Sequence, residues 1–303
     1  MAEQIHDKGY KQLLSHKENF LDLIRYHVPE AWADEIDADA LKLGNTRFVT
    51  KDFLGREADI LYSAKICGQD VDFCVLLELQ SSPDFTMPFR LLEYMMGVMS
   101  ESFSNTSPDI RESEPFRLPA IVPIVLYNGE YRWNCVRRFR EYFAGHQRFA
   151  SCLIDFEYIL IDVNRLDDEE LLRVSTVVSY AMYLDKVIDL GELKRRLRTV
   201  ADRSAGMTED KREHLRRWIH NVVSKKVPDA YMDEIGKTCG EGGLTEMTYA
   251  IERVIEKALA ESELKGKLAA AAAMIEYGDP IEKVSLVTGI SGDALKKHIE
   301  PKN

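Results

Sequence analysis

The chain has 303 residues, of which 45% are hydrophobic and 30% charged, and its formal net charge is −11. These proportions are typical of a globular protein and exclude a disordered or collagenous chain. The length predicts one larger domain with an appended one. No uncharged apolar stretch approaches the 18 residues of a membrane span, and no targeting signal is visible, so we expect a cytoplasmic protein without a membrane partner.

The first half of the chain has the pattern of a mixed α/β fold. Apolar spacing from Asp7 to about His27 predicts one helix, with Asp7 favoured as its N-cap over a metal ligand. Short runs rich in β-branched and aromatic residues predict three strands between residues 45 and 80. Helical spacing returns at Phe89–Phe103, and two further strands are predicted within residues 118–130 and 158–163. This order, αβββα followed by β, predicts a sheet packed by helices.

The second half of the chain has a helical pattern. Helices are predicted at residues 168–186, 190–201, 208–224 and 246–277, followed by two short helices. We therefore divide the chain into an α/β domain at 1–165, a helical domain at 166–260 and a C-terminal helical hairpin at 261–303. The alanine-rich run at 269–273 is suited to close helix packing, either within this lobe or in a homodimer.

Two neighbouring predicted strands, EADILYSAKI and VDFCVLLELQ, are separated by Gly68 and Gln69. A two-residue turn there, with glycine supplying a positive φ, places opposite each other those residues whose numbers sum to 137. One face of the resulting hairpin is then apolar throughout, and the other pairs Lys65 with Asp72. A shift by one residue would destroy both patterns, so the register is specified.

The same register gathers acidic groups at one end of the hairpin. It places Asp59 opposite Glu78, and Glu57 opposite Gln80. Two charges about 5 Å apart repel by about 3 kcal/mol at an effective dielectric near 20. A proton on one acid, a basic side chain such as Arg90, or a hard divalent cation would relieve this repulsion. The spacing alone leaves a structural acid pair and a metal site both open.

Five segments resemble, in order, the Rpn family of recombination-promoting nucleases, also described as transposases of the YhgA-like type. They are HDKGYKQLLS at 6–15, EADILY at 57–62, LLELQSS at 76–82, MPFRLLEYM at 87–95 and LPAIVPIVLYNGEYRW at 118–133. The resemblance implies a PD-(D/E)XK nuclease core, αβββαβ, followed by an all-α lobe. It also implies a DNA endonuclease that depends on Mg²⁺, with Mn²⁺ as an alternative, and that acts in recombination or on mobile elements. Asp59 and Glu78 would then be the metal ligands.

The resemblance has one departure, because Gln80 stands where the superfamily has lysine. Glutamine brings no positive charge to the attacking water or the phosphate, although its amide can hydrogen-bond that water. Lys11 in the first helix, or Arg90 with Tyr94 four residues later, would supply contacts to DNA in its place. The alternative is a catalytically weak or inactive nuclease fold that binds DNA or protein.

Residues 194–226 form a basic segment in an acidic chain, with 11 basic and 4 acidic residues. Its clusters Arg195–Arg196 and Arg216–Arg217 are candidates for contacts to DNA phosphates, which would make binding strongly dependent on salt. The alternative is a solvated helical surface paired with the acidic segments at 167–170 and 185–192. No glycine-rich nucleotide-binding motif is present, so no nucleotide cofactor is expected.

Overall fold

The structure, a computed structural model, describes residues 2–44, 58–66, 72–186, 188–228, 231 and 243–299. Contacts divide the chain into two compact units, Met1–Ile188 with Arg203–Val223, and Asp189–Asp202 with Ser224–Asn303. The strand predicted within 47–54, the turn at Gly68 and the acid Glu57 lie outside the described residues. The fold is mixed α/β, as predicted, with the sheet in the first unit.

Among the described residues, five strands form one sheet in the order β1 to β5, and their bounds are Lys42–Leu43, Ile60–Lys65, Asp72–Gln80, Ala120–Tyr127 and Ile159–Asp162. The β1–β2 and β2–β3 pairs are antiparallel, whereas β3–β4 and β4–β5 are parallel. The parallel strands therefore end at the same edge of the sheet. Parallel strands are usually covered on both faces, and the continuous apolar run of β4 fits that position.

The predicted register of the β2–β3 hairpin is confirmed, from Ile60 opposite Leu77 to Lys65 opposite Asp72. Its apolar face packs against α2 (Lys17–His27), where the ring of Phe20 stacks on Tyr62 at a centroid distance of 4.0 Å. The opposite face forms a second apolar cluster with α3 (Met87–Asn105). Helices on both faces remove the hydrophobic side chains of the hairpin from water.

The single helix predicted from Asp7 to His27 is wrong: the structure has α1 (Ala2–Leu14) and then α2. Helix α1 begins before Asp7, so Asp7 lies inside it and is not its N-cap. The carbonyls left at the end of α1 find other partners, because Tyr62 donates to the carbonyl of Leu14 and Asn19 donates to that of Leu13. These contacts stabilise the break by satisfying backbone acceptors that a helix end exposes.

The remaining helices of the first unit are α4 (Pro108–Arg111), α5 (Asp168–Val174), α6 (Val177–Asp185) and α8 (Glu209–Asn221). The helix predicted over 168–186 is divided because Ser175 adopts a left-handed φ of 57°. Thr176 then caps α6 by accepting a hydrogen bond from the amide of Ser179. This break between α5 and α6 and the earlier break between α1 and α2 both occur at Ser or Thr residues. The side chains of these residues compete with helical hydrogen bonding.

The predicted domain limit at residue 165 differs from the observed division, because α6 and α8 pack onto the first two helices. The rings of Tyr10 in α1 and Trp218 in α8 lie 5.8 Å apart. His27 in α2 hydrogen-bonds the hydroxyl of Ser179 in α6 at 3.0 Å. Helices that follow the sheet in sequence are thus part of the same compact unit.

The second unit contains α7 (Leu190–Arg203) except its last residue, α9 (Leu244–Glu276), α10 (Ile281–Thr288) and α11 (Gly292–Ile299). Ion pairs between Lys194 and Glu256 and between Arg198 and Glu252 join α7 to α9. The predicted pair of short C-terminal helices is confirmed, with Gly289 at a φ of 70° after α10. Within the described ranges, every helix is too short or too polar to cross a membrane.

Candidate active site

The acidic residues predicted to converge lie at the end of the sheet where β3 finishes and β2 starts. Asp59 immediately precedes β2, and Glu78 lies in β3 one position beyond the pair Ile60–Leu77. The antiparallel register therefore brings the two acids together, although they are 19 positions apart in the sequence.

Asp59 and Glu78 are joined through hydrogen bonds between side chain and backbone. The amide of Asp59 donates to Glu78 Oε1 at 3.1 Å, and the amide of Leu79 donates to Asp59 Oδ2 at 3.0 Å. Each carboxylate thus accepts a hydrogen bond from the opposite strand. These two bonds fix the acids beside each other where the regular strand pairing ends.

Glu78 is fully buried, whereas the Asp59 side chain is 28% exposed. Burial, followed by repulsion from Asp59, raises the pKa of Glu78 to about 8, although Arg90 opposes the shift. The raised pKa means that burial and Asp59 disfavour the charged form of Glu78, and strongly shifted groups of this kind are common at functional sites.

Arg90, in the first turn of α3, is the main partner of Glu78. Its Nη2 donates to Glu78 Oε2 at 2.8 Å and to the hydroxyl of Tyr94 at 3.4 Å. Its Nη1 donates to Asp84 Oδ2 at 2.7 Å. The structure thus brings the predicted residues Arg90 and Tyr94 to the acidic pair.

Asp84 is a site residue that the sequence reasoning missed. Its Oδ1 accepts hydrogen bonds from the amide and hydroxyl of Thr86, in the turn that leads into α3. Aspartate two residues before threonine and just ahead of Pro88 is a turn signal that could have revealed it. The same carboxylate, through Oδ2, holds Arg90 in place.

Lys11 lies beside Asp59, and Gln80 ends the strand that carries Glu78. Lys11 Nζ, on α1, is 4.0 Å from Asp59 Oδ1. Gln80 is the last residue of β3, pairs with Tyr127, and its carbonyl accepts a hydrogen bond from the amide of Asn128. Two cationic side chains thus flank the acidic pair, Lys11 beside Asp59 and Arg90 beside Glu78.

The donor set of the pair suits a hard cation. Mg²⁺ is usually held by one or two carboxylates, with water and phosphate oxygens completing its shell. Each carboxylate oxygen can accept two interactions, so the bonds to Asp59 and Arg90 leave acceptor capacity on Glu78. No cluster of three or more His, Cys, Asp or Glu that could hold a metal occurs in the part of the chain that the structure describes. A cation held by this pair would have two protein carboxylates, those of Asp59 and Glu78, as its ligands.

The four arginines predicted to contact DNA lie on two helices, which belong to different compact units. Arg195 and Arg196, on α7, both pair with Glu192, and Arg196 is only 6% exposed. Arg216 and Arg217, on α8, both donate to Glu213. Glu192 belongs to the acidic segment at 185–192. Its pairing with Arg195 and Arg196 agrees with the alternative of a helical surface that is neutralised by acidic neighbours. Contact of these arginines with DNA stays a prediction.

Residues 4–213 match the family model described as "Putative transposase, YhgA-like". Recombination-promoting nuclease RpnD of Escherichia coli O157:H7 is 29% identical over 171 residues, which are 55% of this chain and 62% of RpnD. Recombination-promoting nuclease RpnA of Escherichia coli K12 is 24% identical over 96% of this chain and 95% of RpnA. The inactive recombination-promoting nuclease-like protein RpnE of the same strain is 24% identical over 55% of this chain and 54% of RpnE.

The matched region thus spans less than two thirds of RpnD and RpnE but nearly all of RpnA. No solved structure matches the chain. The match to the family model covers well over half of the chain and contains both the sheet and the acidic site. The chain therefore belongs to the YhgA-like transposase family, and the match runs from helix α1 into the start of helix α8.

Proposed function

We propose that this protein is a metal-dependent DNA endonuclease with a PD-(D/E)XK-type core, acting in recombination or on mobile DNA. The observation that carries the proposal is the interlocked pair Asp59–Glu78 between two cationic side chains. The names of RpnD and RpnA, which call them recombination-promoting nucleases, support it.

Asp59 and Glu78 would hold Mg²⁺ or Mn²⁺ through their carboxylate oxygens. A bound divalent cation neutralises charge on the phosphoryl group and activates water for attack. Arg90 orients Glu78 and, with Lys11, adds positive charge beside the phosphate position. The amide of Gln80 can hydrogen-bond the attacking water but cannot supply the charge of a lysine.

Plasmid nicking tests this proposal. We expect supercoiled DNA to be nicked in Mg²⁺ or Mn²⁺ and to stay intact in a chelator. Asp59→Asn, which removes one ligand charge while keeping side-chain size, should lower the nicking rate by a factor of about 100 or more.

Asp155→Asn is the matched control, because Asp155 also pairs with arginine but lies at Arg138, away from the acidic pair. This variant should nick DNA at the parental rate. Parental nicking by Asp59→Asn, or nicking in chelator, would show that the proposed site is not the catalytic one.

A second candidate is a nuclease fold that binds DNA or protein without cutting. Two observations favour it: both oxygens of Glu78 already accept hydrogen bonds, and Gln80 replaces the superfamily lysine. The name of RpnE marks that relative as inactive. DNA binding in chelator together with no nicking in any divalent metal would support this candidate and reject the first.

A further inference from the structure

The carboxylate of Asp185 is a buried acid outside the Asp59–Glu78 pair. Asp185 is the last residue of α6, is 2% exposed and lies in the first compact unit. His6 Nδ1, in α1, lies 2.6 Å from Asp185 Oδ1, and it is the donor because an ionised carboxylate only accepts. Asn128 Nδ2, directly after β4, donates to Asp185 Oδ2 at 2.8 Å. These three side chains form the Asp185 network, which joins elements far apart in the sequence.

The position of Asp185 is unfavourable for a charged group. Burial removes the water that would solvate the carboxylate, and the C-terminal end of a helix carries a partial negative charge. Burial and then the charge of Asp185 raise the pKa of Tyr10, which lies one turn after His6, so this charge faces α1 at two positions. The stability of α6 therefore does not account for an acid here, whereas its hydrogen bonds to α1 and to the end of β4 do.

The Asn128 side of the network reaches the strand that carries Glu78. The amide of Asn128 donates to the carbonyl of Gln80 at 3.0 Å, and the carbonyl of Asn128 accepts from Asn164 Nδ2 at 2.7 Å. The residue whose side chain is held by Asp185 thus also binds the last residue of β3, two positions beyond Glu78. Fixing Asn128 in this way fixes the backbone of Gln80.

The His6 side of the network sets the rotation of α1. His6 and Lys11 are five positions apart, which is about 140° around the axis of a helix and about 7.5 Å along it. Because a helix turns as a unit, a bond that fixes His6 also fixes the direction in which the Lys11 side chain leaves the helix. Lys11 Nζ lies 4.0 Å from Asp59 Oδ1. A change at Asp185 would therefore reach the acidic pair from two sides.

We propose that Asp185 is a positioning residue of the candidate active site, which acts through His6 to hold Lys11 beside Asp59 and through Asn128 to hold the end of β3. Asp185 itself contacts neither metal nor substrate. Its effect on DNA cleavage rests on the proposed function. The link from His6 to the end of β3 does not depend on that function.

The first experiment compares His6→Ala with His6→Asn in plasmid nicking with Mg²⁺. The amide nitrogen of asparagine is three bonds from Cα, as Nδ1 of histidine is, so His6→Asn keeps a donor for Asp185. We expect His6→Ala to lower kcat about tenfold and to leave KM within about twofold of the parent, because misplaced groups slow the reaction more than they weaken binding. His6→Asn should restore most of the parental kcat. His220→Ala, at an exposed histidine of α8, is the control and should match the parent.

The kinetic comparison separates positioning from a purely structural role. The His6 side chain is 20% exposed, so both variants are expected to fold, and urea denaturation checks this at the assay temperature. A purely structural bond would change the free energy of unfolding and leave the kcat of the folded protein at the parental value. Parental kcat in His6→Ala, or an equal loss in His6→Ala and His6→Asn, would overturn the proposal.

The second experiment needs neither metal nor DNA, because it follows amide hydrogen exchange by NMR. In His6→Ala the amide of Asn128 should exchange about tenfold faster than in the parent, since its bond to Gln80 loses support, and in His6→Asn it should exchange at the parental rate. The amide of Phe139, which donates to the carbonyl of Phe156 at 2.8 Å, is the control and should not change.

The two experiments distinguish failure of this proposal from failure of the proposed function. Unchanged exchange at Asn128 in His6→Ala would reject the link, whether or not the protein cuts DNA. Failure of the nuclease proposal appears separately, as no nicking by the parent or as parental nicking by Asp59→Asn. In that case the exchange rates still decide whether Asp185 couples α1 to the end of β3.

Discussion

Arg90 holds Glu78 through a hydrogen-bonded ion pair, with Arg90 Nη2 at 2.8 Å from Glu78 Oε2. The other arm of the same guanidinium holds Asp84 at 2.7 Å. Arg90 therefore links a buried acid at the end of β3 to the turn that begins α3. Arg90 thus contributes both to the stability of this end of the sheet and to the orientation of Glu78, the proposed metal ligand.

Replacing Arg90 by glutamine should leave the buried carboxylate of Glu78 without its cationic partner. We expect the free energy of unfolding, measured by urea denaturation, to fall by about 1–3 kcal/mol, because a buried acceptor left without its hydrogen-bond partner is costly. Arg138→Gln is the control, because the Arg138–Asp155 pair is exposed and should contribute less than about 1 kcal/mol. Equal losses in the two variants would contradict the structural role assigned to Arg90.

Gln80→Lys tests whether the missing lysine limits catalysis. If the proposed PD-(D/E)XK core is correct, a lysine at the end of β3 would bring a positive charge beside the phosphate. If the first proposal holds, nicking in Mg²⁺ should become about tenfold faster, because added charge stabilisation at the reacting group lowers the barrier. Gln80→Met, similar in length but uncharged, is the comparison and should not accelerate nicking. Equal rates for both variants would show that charge at residue 80 is not limiting.

The hairpin that carries the site could be predicted from sequence because its signals are local. Alternating apolar residues and one pair of opposite charges allow a single register, and that register brings Asp59 to Glu78. Asp84 was missed because its role arises from a turn and from a contact with Arg90 that strand pattern does not encode. Local patterns thus identify paired strands better than they identify partners across a loop.

The helical part was harder to predict, because its breaks depend on distant contacts. The end of α1 is stabilised by Tyr62, which lies 48 residues beyond Leu14 in the sequence. The packing of α8 on α1 similarly depends on Trp218 and Tyr10. Helical spacing alone therefore extended α1 across its break, and it did not reveal that α8 lies in the same compact unit as α1.

His27 should make stability depend on pH. Burial lowers the pKa of His27 from 6.5 to about 4, so below about pH 6.5 the unfolded chain takes up a proton that the folded chain does not. Stability should fall as the pH decreases from about 6.5 to about 4, by up to about 3 kcal/mol from this residue. Above pH 6.5 both states hold neutral His27 and the effect is absent.

The contribution of His27 can be isolated by comparing urea denaturation of the parent and of His27→Gln at several pH values. Protonation of acidic groups also lowers the free energy of unfolding in this range. The relevant quantity is therefore the free energy of unfolding of the parent minus that of His27→Gln at each pH. That difference should decrease with falling pH, because only the parent has a buried histidine to protonate. His220→Gln, at an exposed site on α8, is the control and should follow the parent. A pH-independent difference for His27→Gln would contradict the prediction.

Two glycine-to-alanine substitutions should have opposite effects on stability because their surroundings differ. A Cβ on Gly9 in α1 would lie 2.4 Å from Val222 Cγ2, so the helices would have to move apart. We expect Gly9→Ala to lower the free energy of unfolding by about 1–3 kcal/mol, as overpacking does in other cores. Gly266 lies within α9, and among the described residues no atom outside the adjacent backbone of α9 lies within 4 Å of such a Cβ, so Gly266→Ala should raise stability by about 0.5–1 kcal/mol. Urea denaturation of the two variants beside the parent measures both effects, and a gain for Gly9→Ala would mean that α1 and α8 do not pack this closely.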